Sequence, residues 1–161
     1  TNTMTAEKKN EYTLRIAGAN STGLCVILYE MTITYIEDAL EAWKKGNAEE
    51  MKKNARCALD CIEEMQNNLH YEYELARNLK QIYLFMKKQL RLAIINGQVE
   101  GLNTVIKELV SLKNAYDSIM EYDKSPAVMS NTQAVLTGMT YGKNSTWDSL
   151  TTECGSRGYK V

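Results

Sequence analysis

From Leu24 onward the chain repeats apolar residues at spacings of three and four, the period of one face of an α-helix. Leu24, Leu28, Met31, Tyr35, Ala39 and Ala42 form one stripe, and Tyr29, Ile33, Ile36, Leu40 and Trp43 form a second beside it. So wide an apolar arc predicts a central helix, contacted on two sides. Asn20, Ser21 and Thr22 precede it and are good N-cap types. Lys44, Lys45 and Gly46 follow, cations and then glycine, which is the preferred way to end a helix.

Three further segments carry the same period. Asn47-Ala48-Glu49-Glu50 opens one of them, with Asn as cap and Glu three residues on, a variant of the capping box. Met51, Ala55, Ala58, Ile62, Met65 and Leu69 are its stripe, and Asn67, Asn68 and His70 mark its end or a bend. The next runs from about Tyr73 to Ile95, with Leu75, Leu79, Ile82, Met86, Leu90 and Ala93 as its stripe and Tyr83 beside it, and Asn96-Gly97 stops it. The last runs from about Gln98 to Glu121, with Leu102, Val105, Leu109, Leu112, Tyr116 and Ile119 in register and Gly101 in its first turn. Segments of about 23 residues span roughly 35 Å. Short connections between helices of matched length imply antiparallel neighbours.

The expected fold is therefore all-α: an antiparallel four-helix bundle over residues 1–122, with a short N-terminal helical segment and an irregular C-terminal tail over 123–161. Tyr12, Leu14 and Ile16 mark the N-terminal piece. The tail holds the only proline, Pro126, and four of the nine glycines, Gly138, Gly142, Gly155 and Gly158. It is not purely disorder-like in composition, because Val128, Met129, Val135, Leu136, Met139, Tyr141, Trp147 and Leu150 are scattered through it.

Composition narrows the chemistry. One histidine, His70, excludes two-histidine metal sites within the chain, and no cofactor or metal is expected. His70 also lacks an interpretable Ser or Cys nucleophile, so the chain is not expected to be an enzyme. Nineteen Lys and Arg against twenty Asp and Glu argue against nucleic acid as a partner. The longest apolar run, Leu24 to Tyr29, is too short for membrane insertion. No signal-peptide pattern stands at the N-terminus, and the four cysteines, Cys25, Cys57, Cys61 and Cys154, read as small buried hydrophobes in a reducing compartment. A cytoplasmic protein is expected. Eight Met and ten Tyr suit either plain core packing or a surface that accepts an apolar peptide.

At this point the residues resemble a known family. Leu24-Cys25-Val26-Ile27-Leu28-Tyr29, with Tyr35-Ile36 and Ala39, resembles the first long helix of the flagellin-specific export chaperones, the FliS family. The stretch from Glu74-Leu75 through Leu84-Phe85-Met86-Lys87-Lys88-Gln89-Leu90 is similar to that family's third-helix signature, and Ala93 to Gly97 resembles its Ala-Asn turn. Leu102, Val105, Leu109, Leu112 and Ala115 sit where the family's last helix is apolar, so the match covers roughly residues 12 to 121. Two departures stand out. Gly18-Ala19-Asn20-Ser21-Thr22-Gly23-Leu24 lacks the proline and acids of the family's usual helix entry, and the tail beyond Pro126 lies outside its pattern.

The resemblance implies a flagellar export chaperone that binds the C-terminal segment of flagellin in the cytoplasm and prevents premature polymerisation. The flagellar export apparatus is a further candidate partner. On the family-like motifs, Leu28, Tyr29, Tyr83 and Met86 are candidates for the flagellin-binding groove, although the same residues would also suit an interior. Tyr12 and Ile16 would pack over that groove, and Val135, Leu136, Met139 and Tyr141 would act as a self-shielding tail. The alternative is a helical adaptor or regulatory paralogue of the same fold with a different protein partner.

Overall fold

The computed structural model describes residues 3–67, 74–122, 124, 126 and 127. Among them it forms five α-helices and no strand: α1 (Ala6–Gly18), α2 (Ser21–Lys44), α3 (Ala48–Asn67), α4 (Glu74–Asn96) and α5 (Leu102–Met120).

Local chemistry sets the helix ends. The Thr5 hydroxyl accepts the Lys8 amide at 3.2 Å to open α1. Asn20 Oδ1 accepts the Gly23 amide at 2.9 Å to open α2. Asn47 Oδ1 accepts the Glu50 amide at 3.1 Å to open α3. Each side chain satisfies an amide that the first helical turn leaves without a partner. The α2–α3 turn closes as a Schellman motif. Gly46 takes φ +75°, its amide donates to Trp43 O, and the Asn47 amide donates to Ala42 O.

The expected boundaries agree to within a residue or two except at α5. That helix starts at Leu102, not Gln98, and Gly101 is its cap without a side-chain hydrogen bond. Gly97, at φ +68°, reverses the chain after α4, and residues 98–101 are used up in completing the turn, with the Leu102 amide donating to Val99 O at 3.0 Å. The close approach at this turn is tight: a Cβ on Gly101 would collide with the Gln89 side chain, and one on Gly97 would press on the Trp43 ring. Trp43, which periodicity assigns to the core stripe, is 40% exposed and packs over that turn instead.

As its double stripe predicts, α2 is central. It packs against α1, α3 and α5, while α4 packs against α3 and α5. Paired contacts give directions. Tyr29 meets Tyr116 and Glu30 meets Lys113, while Met120 lies beside Gly23, so α2 and α5 run in opposite senses. Glu63 reaches Lys87 and Arg91, and Gln66 accepts from Lys87, which sets α4 against α3 in the same antiparallel manner. The N-terminal stretch forms a full helix, α1. Tyr12 and Ile16, four residues apart, share its buried face, and Leu14 points away at 76% exposure. Two polar residues inside the α2 core are satisfied within the helix. Thr32 donates to Leu28 O at 2.6 Å and Thr34 to Glu30 O at 3.0 Å.

Candidate functional site

The four candidate groove residues converge, but beneath the surface. Leu28 and Tyr29 on α2 and Tyr83 and Met86 on α4 are all at most 1% exposed. The Tyr29 and Tyr83 hydroxyls lie 2.6 Å apart and share a hydrogen bond, and the Tyr29 ring meets Tyr116 edge-on at 5.5 Å. Burial and the neighbouring phenol push the Tyr29 pKa far up, so it is a neutral hydrogen-bonding group at any ordinary pH. With α1 in place these side chains are interior and support the helices from within. The period that aligns them marks a face, and here α2 has no free face. Cys25, half-buried beside them, has its thiol pushed up to about 11 by burial, which makes it unreactive.

Tyr12 and Ile16, expected to pack over a groove, have a definite place in the structure. Both are 3% exposed and seated on α2. The Tyr12 hydroxyl hydrogen-bonds Thr34, and its ring carries Lys8 and Arg15 on its outer side at 5.8 and 5.5 Å. Two polar ties fasten the helix. Arg15 Nη1 donates to Glu30 Oε2 at 2.6 Å, and the Met4 amide donates to Asp38 Oδ2 at 2.9 Å. Glu30 is shared, because Lys113 of α5 approaches its other oxygen at 3.9 Å while bonding Asp117 at 2.9 Å. Thus α1 is held by two apolar side chains and a few partly exposed polar contacts, whereas α2, α3 and α5 share broad apolar faces. An element with few apolar contacts is the one that opens most readily.

A second surface comes from α5. Leu102, Val105 and Leu109 are fully buried, but the same stripe then leaves the core. Leu112 and Tyr116 are only partly buried, Ile119 is 49% exposed and Met120 39%. Tyr122, just beyond the helix, is 79% exposed. Sequence periodicity shows the stripe but not where its cover stops.

Among the described residues, no group of three or more His, Cys, Asp or Glu side chains is placed to hold a metal ion. Likewise, no described helix is long and apolar enough to cross a membrane. Cys25 and Cys61 are not in disulfide bonds. Cys57 is disulfide-bonded, which departs from the reading of all four cysteines as plain thiols. The tail residues Val135, Leu136, Met139 and Tyr141 lie outside the described residues. Sequence reasoning missed Glu30 and Asp38 as anchors for α1. Their one signal is position, as acids on an otherwise strongly apolar helix.

Comparison with known proteins gives one positive result. The family model described as "Flagellar protein FliS" matches residues 4–123, which spans all five helices. No curated protein and no solved structure matches the chain. With about three quarters of its length inside that family model, this chain belongs to the FliS family of flagellar proteins.

Proposed function

We propose that this chain is a flagellar export chaperone that holds the C-terminal segment of flagellin in the cytoplasm and keeps it from polymerising early. The observation that carries the reading is the family match over residues 4–123. In this reading α2 to α5 form the antiparallel four-helix bundle, and the mechanism is competition for an apolar surface, without catalysis. A polymerisation segment that buries its apolar residues on a chaperone cannot bury them on a neighbouring subunit.

The arrangement of α1 suggests where that surface lies. Tyr12 and Ile16 occupy an apolar seat on α2 that an amphipathic helix can fill through residues four apart. Displacing α1 opens that seat at the expense of the Arg15–Glu30 and Met4–Asp38 contacts. Leu28, Tyr29, Tyr83 and Met86 remain inside and keep the floor rigid. The test is titration of the chain with a flagellin C-terminal peptide, followed by co-elution. One-to-one binding with α1 released, seen as faster amide exchange in residues 6–18, supports the reading. No binding at micromolar concentrations favours an adaptor with another protein partner.

A further inference from the structure

We propose that the C-terminal tail, residues 128–161, docks in cis on the part of the α5 stripe that leaves the core. The receiving surface is Leu112, Tyr116, Ile119 and Met120. Along this helix the exposure rises from nothing at Leu109 to 49% at Ile119, although the apolar spacing continues without a break. A run of such residues on a helix carrying an otherwise uninterrupted stripe is a surface awaiting cover. Lys113, beside this surface, is paired with Asp117 of α5 at 2.9 Å and approaches Glu30 of α2 at 3.9 Å, so its charge is met by carboxylates.

Three features select the tail as the occupant. First, it continues directly from the open end of the stripe, because α5 ends at Met120. Second, it reaches. Val135 lies fifteen positions beyond Met120; extended, that stretch spans about 50 Å, and the whole 19-residue α5 is about 29 Å long. A tether this short holds its end at an effective concentration of about millimolar, so a weak apolar contact suffices. Third, its chemistry matches. It carries Val135, Leu136, Met139 and Tyr141 close together, and its charges nearly cancel, with Asp148 and Glu153 against Lys143, Arg157 and Lys160.

This docking is independent of the ligand proposed for the α1 seat. Failure of flagellin to bind leaves it standing, and its own failure leaves the flagellin reading untouched. The experiment is amide hydrogen exchange on the full chain, its Ile119→Asp variant and a Leu136→Asp variant, one substitution on each side of the proposed contact. Expected in the unaltered chain is exchange over residues 135–141 slowed about tenfold or more relative to an open chain. Both variants should abolish that slowing while α2 and α3 stay protected. Open-chain exchange at 135–141 in the unaltered chain overturns the proposal. So does slowing that both variants leave intact, and so does slowing that grows with protein concentration, which would make a second copy the occupant.

Discussion

The Tyr29 and Tyr83 hydroxyls meet at 2.6 Å in the interior, joining α2 to α4 by a hydrogen bond between two side chains with almost no solvent exposure. Neither phenol is open to solvent, so each needs partners from the protein, and the Tyr29 hydroxyl has a second one in Tyr116. Replacing Tyr83 by Phe keeps the ring and leaves the Tyr29 hydroxyl with the Tyr116 phenol alone. The expected loss is about 0.5–1.5 kcal/mol, that of one hydrogen bond, read from the urea-denaturation midpoint with the slope unchanged.

The same burial predicts an alkaline transition. The Tyr29, Tyr35 and Tyr116 phenols are all raised above the ordinary value of 10.0, with desolvation as the largest cause. A raised folded-state pKa means that the stability is fully present below pH 10 and is lost as pH rises beyond it, because only the unfolded chain ionises there. Spectrophotometric titration should show exposed tyrosines ionising first and the buried ones ionising together with loss of helical circular dichroism.

Asp38 supplies a test with the opposite sign of expectation. The pKa of its carboxyl is raised above the ordinary carboxylate value mainly by burial, so its charge opposes folding at neutral pH while its oxygen anchors the Met4 amide. The favourable side of this shift lies at acid pH and is gone once pH has risen through the folded-state pKa. Asp38→Asn keeps an acceptor and removes the buried charge, so at pH 7 the melting temperature should hold or rise. Asp38→Ala removes the acceptor and should speed amide exchange at residues 4–9.

Much of this was legible from residue patterns. The Asn20 and Asn47 caps, the Gly46 stop and the centrality of α2 follow from local chemistry and a double stripe, both of which a helix obeys regardless of its neighbours. What periodicity does not report is which apolar face remains uncovered. Tyr83 and Met86 belong to a recognisable motif yet lie inside, while Ile119, in a weaker context, is half open. Those outcomes depend on how far α4 and α5 extend beside α2, and that is set by the turn at Gly97–Gly101. There the late start of α5 escaped a reading of spacing alone, because the turn is tightened by Trp43 from α2 and by Gln89 from the preceding helix.

That turn can be tested directly. Gly97 and Gly46 both adopt positive φ, but only Gly97 faces a neighbour, with Trp43 at 3.2 Å from a would-be Cβ. Gly46→Ala should lose about 1 kcal/mol from backbone strain alone. Gly97→Ala should lose more and shift the Trp43 fluorescence, whereas Gly46→Ala should leave that emission as it was.

The central claim is that a flagellin segment takes the seat that α1 now occupies. The most direct measurement is calorimetric titration of the flagellin C-terminal peptide into the full chain and into its Arg15→Ala variant. Arg15 and Glu30 are partly exposed, at 38% and 23%, so their contact is worth only about 0.5 kcal/mol. Weakening it reduces the opening penalty, and the account predicts one-to-one binding in both chains with affinity about twofold tighter in the variant. Absence of binding in both chains at micromolar concentrations, or weaker binding in the variant, would contradict it.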